Sequence, residues 1–291
     1  MRQTHHSNLY TEIQRRLRVY GLSPDKKLGQ NFLSDEEVLD TMRDAAHITP
    51  GDVVLEVGPG VGTLTERLLK AGAVVVAVEK DERFRPLLNA LARQHSGLRV
   101  VFGDVLRLHV PEILNSVLTV NTHLKVVANI PYYVTGKLVQ QLLRMSTVHF
   151  ESLTLLVQYE VAQNMLAVAG HMNLLGLSVH LVGAPTLIQV VPATAFIPPP
   201  KVASAVVHIA LFPKSLVSED MEVKVFRIAK ACFAGKRKQI HNTLAAGLGL
   251  LPVEVDELLQ SVGIAASVRP QNLTEHDFIR LTEVYYQKYA E

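Results

Sequence analysis

The stretch Ala128-Asn129-Ile130-Pro131-Tyr132-Tyr133 follows the apolar run LKVV and ends it on an amide, a proline and two aromatics. A buried strand has no use for these residues at its tip, because proline removes a ladder donor. A flat ring with an exocyclic amine does have a use for them. The side-chain oxygen of Asn129 can accept from that amine. Pro131 biases Ile130 toward an extended backbone, which aims the Ile130 carbonyl at the same nitrogen. Two acceptors on one NH2 draw its lone pair out of conjugation with the ring. Set against an activated methyl, such an amine needs orientation more than a strong base. Tyr132 offers a face on which the ring can stack, worth about 1–3 kcal/mol per base. The alternative is an incidental Asn-Pro turn.

Other residues of suitable type fall at comparable places. LEVGPGVGTLT puts Gly58, Gly60 and Gly62 where an apolar run gives way to a helical pattern. A dinucleotide fingerprint, G-x-G-x-x-G, would need its third glycine at Thr63, so this loop is of another kind. Glu79 ends the next apolar run about 20 residues on, a position from which a carboxylate accepts from ribose hydroxyls. Loop and carboxylate together point to an adenosine-containing ligand. Asp104 in VVFGDVL can accept from an adenine amine or cap the segment that follows. Phe196 precedes three consecutive prolines, Pro198 to Pro200, in a stiff extended stretch. It is either the second wall for a flipped base or a buried part of a rigid connector.

These residues need a scaffold that brings strand tips to one edge. DVVLEV, AVVVAVEKD, LRVVFGD, LKVVANI and SLTLLV read as buried strands separated by helical patterns, with LSVHLV and SAVVHIALF as later strands. Ser34 and Glu37 have capping-box spacing ahead of the first of these helices. Unbroken apolar strands alternating with helices imply an α/β fold with a mainly parallel sheet covered on both faces. Gly58, Glu79, Asp104 and Asn129 then lie along its carboxyl edge, where open α/β sheets bind ligands. After Pro213 only helical patterns remain. The expected organisation is a basic N-terminal extension (1–27), a catalytic domain (28–213) and a small all-helical domain (214–291).

The 291 residues are 48% hydrophobic with a net charge of +2, too small a charge to establish a nucleic-acid partner. Residues 1–30 nevertheless hold six Lys/Arg against two Asp/Glu, and Lys236-Arg237-Lys238 forms a second basic cluster. Each is either an RNA-binding patch or a solvated face. The single cysteine, Cys232, excludes a disulfide within the chain and reads as a buried hydrophobe. The 12 histidines lack ligand spacing, and no metal is expected. No apolar run is long enough for a membrane span, and the opening residues lack the apolar core of a secretion signal. A cytoplasmic monomer is expected.

Together LGQNFL (28–33), LEVGPGVGTLT (55–65), VEKD (78–81), GDVL (103–106), NIPYY (129–133), FIPPPKV (196–202) and GKRKQIHNTL (235–244) resemble the small-subunit rRNA adenine N6-dimethyltransferases. These are a branch of the class I S-adenosylmethionine-dependent methyltransferases. The resemblance implies a Rossmann-like sheet and S-adenosyl-L-methionine as cofactor. It implies that Asn31 and Leu33 close over the cofactor and that Gly58 and Gly60 lie against its methionine part. Glu79 would hold its ribose and Asp104 its adenine. Asn129 would touch both cofactor and target amine, with Tyr132 and Phe196 sandwiching the target base. Lys236, Arg237 and Lys238 would bind RNA. The implied product is N6,N6-dimethyladenosine at two adjacent adenosines in a hairpin loop near the 3′ end of small-subunit rRNA, the substrate being that RNA or a partly assembled subunit. Residues 1–22 match nothing in this pattern. The rival readings are the antibiotic-resistance branch, which dimethylates a large-subunit rRNA adenine, and a non-catalytic rRNA-binding assembly factor.

Overall fold

The computed structural model describes residues 8–119, 122–132, 134–145, 147–235 and 238–289. Two compact units emerge: one runs up to Ala162 and takes in Pro185–Leu211, the other joins Gln163–Ala184 to the chain from Phe212 onward. Residues 163–184, expected in the catalytic domain, therefore pack with the helical unit, and the division is not a single cut near Pro213.

In the first unit α1 (Asn8–Val19) precedes the short strand β1 (Phe32–Leu33) and α2 (Glu36–Ala45). The sheet strands β2 (Val53–Val57), β3 (Val74–Glu79), β4 (Leu98–Phe102), β5 (Leu124–Asn129) and β6 (Ser152–Gln158) then alternate with α3 (Thr63–Lys70), α4 (Arg85–Gln94), α5 (Val110–Asn115) and α6 (Thr135–Leu143). After α7 (Tyr159–Met165) and α8 (Leu174–His180) come β7 (Gly183–Val191), β8 (Phe196–Ile197) and β9 (Ser204–Leu211). Seven strands form a sheet in the order β4-β3-β2-β5-β6-β9-β7. Strands β2 to β6 pair in parallel, and β9 runs antiparallel to β6. Every residue of β2 is buried, as both-face coverage of a parallel sheet requires.

The chain steps outward from β2 through β3 to β4, then returns to lay β5 on the other side of β2. That reversal opens a crevice beyond the carboxyl ends of β2 and β5. A second, two-stranded ribbon pairs Phe32 with Ile197 and Leu33 with Phe196. It joins the GQNFL and FIPPP stretches, which lie far apart in sequence.

The second unit packs α9 (Glu219–Phe233), α10 (Ile240–Leu248), α11 (Pro252–Ser261) and α12 (Glu275–Lys288) around a core that includes Phe226, Cys232, Leu258 and Phe278. Two local expectations change. Asp35, not Ser34, caps α2, accepting from the Glu37 and Val38 amides, while the buried Ser34 hydroxyl donates to the Ala195 carbonyl. LSVHLV, read as a strand, lies mostly in α8. Asn173 caps that helix by accepting from the Leu175 and Gly176 amides, and Leu177 and Leu181, four residues apart, bury in the same cluster as residues of α9.

Candidate active site

A cavity opens at the switch point, lined from the glycine turn, the tips of β3, β4 and β5, and the segment Leu28–Leu33. Asn31, Leu33, Gly58, Gly60, Glu79, Asp104, Asn129 and Tyr132 all line it. Gly58 sits at φ 73°, and a Cβ there would lie 3.7 Å from Pro131 Cδ and 3.9 Å from the Asn129 carbonyl. The glycine turn and the NIPY segment thus face each other at close range.

The Asn129 amide has a defined orientation. Its Nδ2 donates to the Asn31 carbonyl at 3.3 Å, and no donor to its Oδ1 is found among the described residues. The hydrogen-bond network assigns which end of the amide is oxygen, and the acceptor is left for a ligand. Ile130 is buried, with its N–H on the Leu156 carbonyl at 3.2 Å. The half-buried Tyr132 shares a 2.7 Å hydrogen bond with Ser204 Oγ, which anchors the far end of its ring. Burial pushes its phenol pKa up, against that hydrogen bond.

The carboxylates differ by environment. Glu79 is buried and accepts from the Gly60 amide at 3.0 Å and the Asp81 amide at 2.8 Å, so it fixes the glycine turn from the next strand. Burial raises its pKa, opposed by those two backbone N–H groups. Asp104 caps the Leu106 amide and pairs with Lys80 Nζ at 3.0 Å, and the Lys80 contact holds its carboxyl below the usual range. Asp104 borders the cavity and closes a turn, whereas the helix that follows starts only at Val110, after His109.

Phe196 takes the second of its two expected places, inside the core. It is 3% exposed, belongs to the core cluster with Leu33, Val127 and Val206, and does not line the cavity. It pairs with Leu33 across β1–β8 and packs in the same core cluster. Of the basic cluster, Lys236 and Arg237 lie outside the described residues. Lys238 is exposed just before α10.

Three cavity residues escape the sequence reading. Glu56, inside the otherwise apolar β2, lines the cavity, accepts from the Thr65 hydroxyl at 2.6 Å, and has its pKa pushed up to about 8 by burial. An acid in the middle of VVLEV was the available signal. Lys80 is the partner of Asp104. Gln30 donates to Asp81 Oδ2 at 2.8 Å and so ties the Leu28–Leu33 segment to the tip of β3. Among the described residues no His, Cys, Asp and Glu group is placed to hold a metal, and no helix is long and apolar enough to cross a membrane.

Residues 22–287 match the family described as ribosomal RNA adenine dimethylase. A ribosomal RNA small subunit methyltransferase A of Dehalococcoides mccartyi is 37% identical over 96% of this chain and 94% of its own length. Its counterpart in Levilactobacillus brevis is 34% identical over 94% and 93%. Among solved structures, a dimethyladenosine transferase from Plasmodium falciparum superposes with TM-score 0.72 at 25% identity, covering 88% of this chain and 98% of that one. The 23S rRNA methyltransferase ErmE reaches 0.68 at 24%, covering 87% and 99%, which is a likeness of fold.

Proposed function

This chain belongs to the ribosomal RNA adenine dimethylase family, and we propose that it uses S-adenosyl-L-methionine to dimethylate N6 of two adjacent adenosines in a hairpin loop near the 3′ end of small-subunit rRNA. The observation that carries this reading is the Asn129 amide, pinned through Nδ2 with Oδ1 left for a ligand, directly opposite the Gly58 turn. The cavity suits the cofactor: a glycine turn allows close approach, and the buried Glu79 and the partly exposed Asp104 offer acceptors at neighbouring strand tips. Gly58 and Gly60 would hold the methionine part, Glu79 the ribose and Asp104 the adenine, with Asn31 and Leu33 covering them. When bound, the cofactor supplies an electrophilic methyl.

The chain's own residues do the rest. Asn129 Oδ1 accepts from the target amine and, with the Ile130 carbonyl, orients its lone pair. Tyr132, fixed through Ser204, gives the flipped adenine a stacking surface. The helical unit, with Lys236, Arg237 and Lys238, would contact RNA phosphates, the substrate being rRNA or a partly assembled small subunit in the cytoplasm. Mass spectrometry and primer extension on rRNA from cells with and without the protein test the assignment. Loss of adjacent dimethyladenosines from the small subunit alone is expected. Loss confined to the large subunit would contradict it and select the antibiotic-resistance branch.

A further inference from the structure

Arg16 grips the glycine turn from outside the cavity. It lies on α1, within residues 1–22, which match nothing in the family pattern and whose basic residues the sequence offers only to RNA or to solvent. Its Nε donates to Glu12 at 2.8 Å, Nη1 to the Val61 carbonyl at 2.8 Å, and Nη2 to both oxygens of Glu66 at 2.9 and 2.8 Å. The side chain is only 15% exposed. The helix that carries it is seated by Ile13 and Leu17, buried with Phe32, Val61 and Phe84. One arginine thus ties α1 to the turn and to the first helical residues after it, and the same helix packs on the strand that follows the Leu28–Asn31 wall.

The turn needs such a tie. Gly58, Gly60 and Gly62 adopt φ values of 73°, 54° and 81°, and glycine loses more conformational freedom on ordering than any other residue. Partners within the sheet and turn hold most of its backbone: Gly58 N–H on the Val78 carbonyl, Gly60 N–H on Glu79, Gly62 N–H on the Pro59 carbonyl. The Val61 carbonyl is held by Arg16. A Cβ on Gly62 would come 3.7 Å from Arg16 Nη1, so the guanidinium packs directly on the turn. A lysine has one charge and no planar fork, and cannot serve Glu12, Val61 and Glu66 together.

We propose that Arg16 is a positioning residue for S-adenosylmethionine, holding the Gly58–Gly62 turn in its binding shape, so that the N-terminal helix belongs to the cofactor site without lining it. The proposal rests on the cofactor reading above. It is tested by isothermal titration of S-adenosylhomocysteine into the full chain and its Arg16→Met, Arg16→Lys and Arg15→Met variants. Arg16→Met is expected to bind about tenfold more weakly, with a matching rise in KM for S-adenosylmethionine and none in KM for rRNA. Arg16→Lys, which retains a charge for Glu12 and Glu66 and so protects the fold, is expected between it and wild type. Arg15, 57% exposed and paired with the same Glu12, is the control and should bind as wild type. Wild-type affinity in Arg16→Met or Arg16→Lys, even with a lowered melting temperature, would overturn the latch and leave the cofactor reading standing. Failure of the wild-type chain itself to bind would overturn both.

Discussion

Glu56 keeps its proton at neutral pH because ionising it inside β2 would place a charge among apolar neighbours. Burial dominates, the Thr65 hydroxyl opposes it, and the Glu79 charge adds to it, leaving a pKa of about 8 against the usual 4.5. The sign of the linkage follows. As pH rises through this interval the unfolded chain gives up the proton while the folded chain keeps it, so the residue's contribution to stability falls from about pH 4.5 to about pH 8. Glu56→Gln can still accept from Thr65 and has no proton to lose. Its melting temperature should exceed that of wild type at about pH 8.5, and the gap should close toward about pH 5. Parallel melting curves across that range would show that Glu56 ionises freely in the folded protein.

The β1–β8 ribbon joins two stretches that the sequence marks as unusual, and Phe196 is buried in it beside Phe32 and Leu33. Phe196→Ala should cost about 3–5 kcal/mol through the cavity it leaves. Phe196→Leu should lower the melting temperature less and retain most rRNA methylation, whereas a residue that stacked on the base would lose turnover with stability intact. The parallel strands were legible because β2, β3 and β5 are short runs dominated by valine, leucine and alanine, interrupted only by Glu56 and Lys125 before their tips. LSVHLV was not, since a short alternating run serves a strand or a buried helix equally well, and the Asn173 cap that decides it lies outside the run. Gly58, Glu79, Asp104 and Asn129 could be aligned from sequence because parallel strands in register place their tips together. The burial of Phe196, the Gln30–Asp81 tie and the Arg16 latch depend on non-local packing that no spacing encodes.

The cavity and Lys238 fall in different units. The first contains the whole cavity, and the second contains Lys238 at the start of α10. If the second unit binds rRNA phosphates, affinity must fall steeply with salt through counterion release. Lys238→Ala should weaken binding without regard to base sequence and reduce the slope of log affinity against log salt by about one. Filter binding of a small-subunit rRNA fragment across a salt series measures this, and an unchanged slope would place the RNA contacts elsewhere. If the cofactor occupies the cavity of the first unit, S-adenosylhomocysteine binding should be the same in this variant as in wild type.

The clasp at Asn129 is tested most directly by measuring methyl transfer to small-subunit rRNA and S-adenosylhomocysteine affinity on one Asn129→Ala preparation, beside Glu79→Ala. Transfer should fall at least about 100-fold in Asn129→Ala, with cofactor affinity reduced less than in Glu79→Ala. Transfer at the wild-type rate in Asn129→Ala would mean that the target amine is held by other groups.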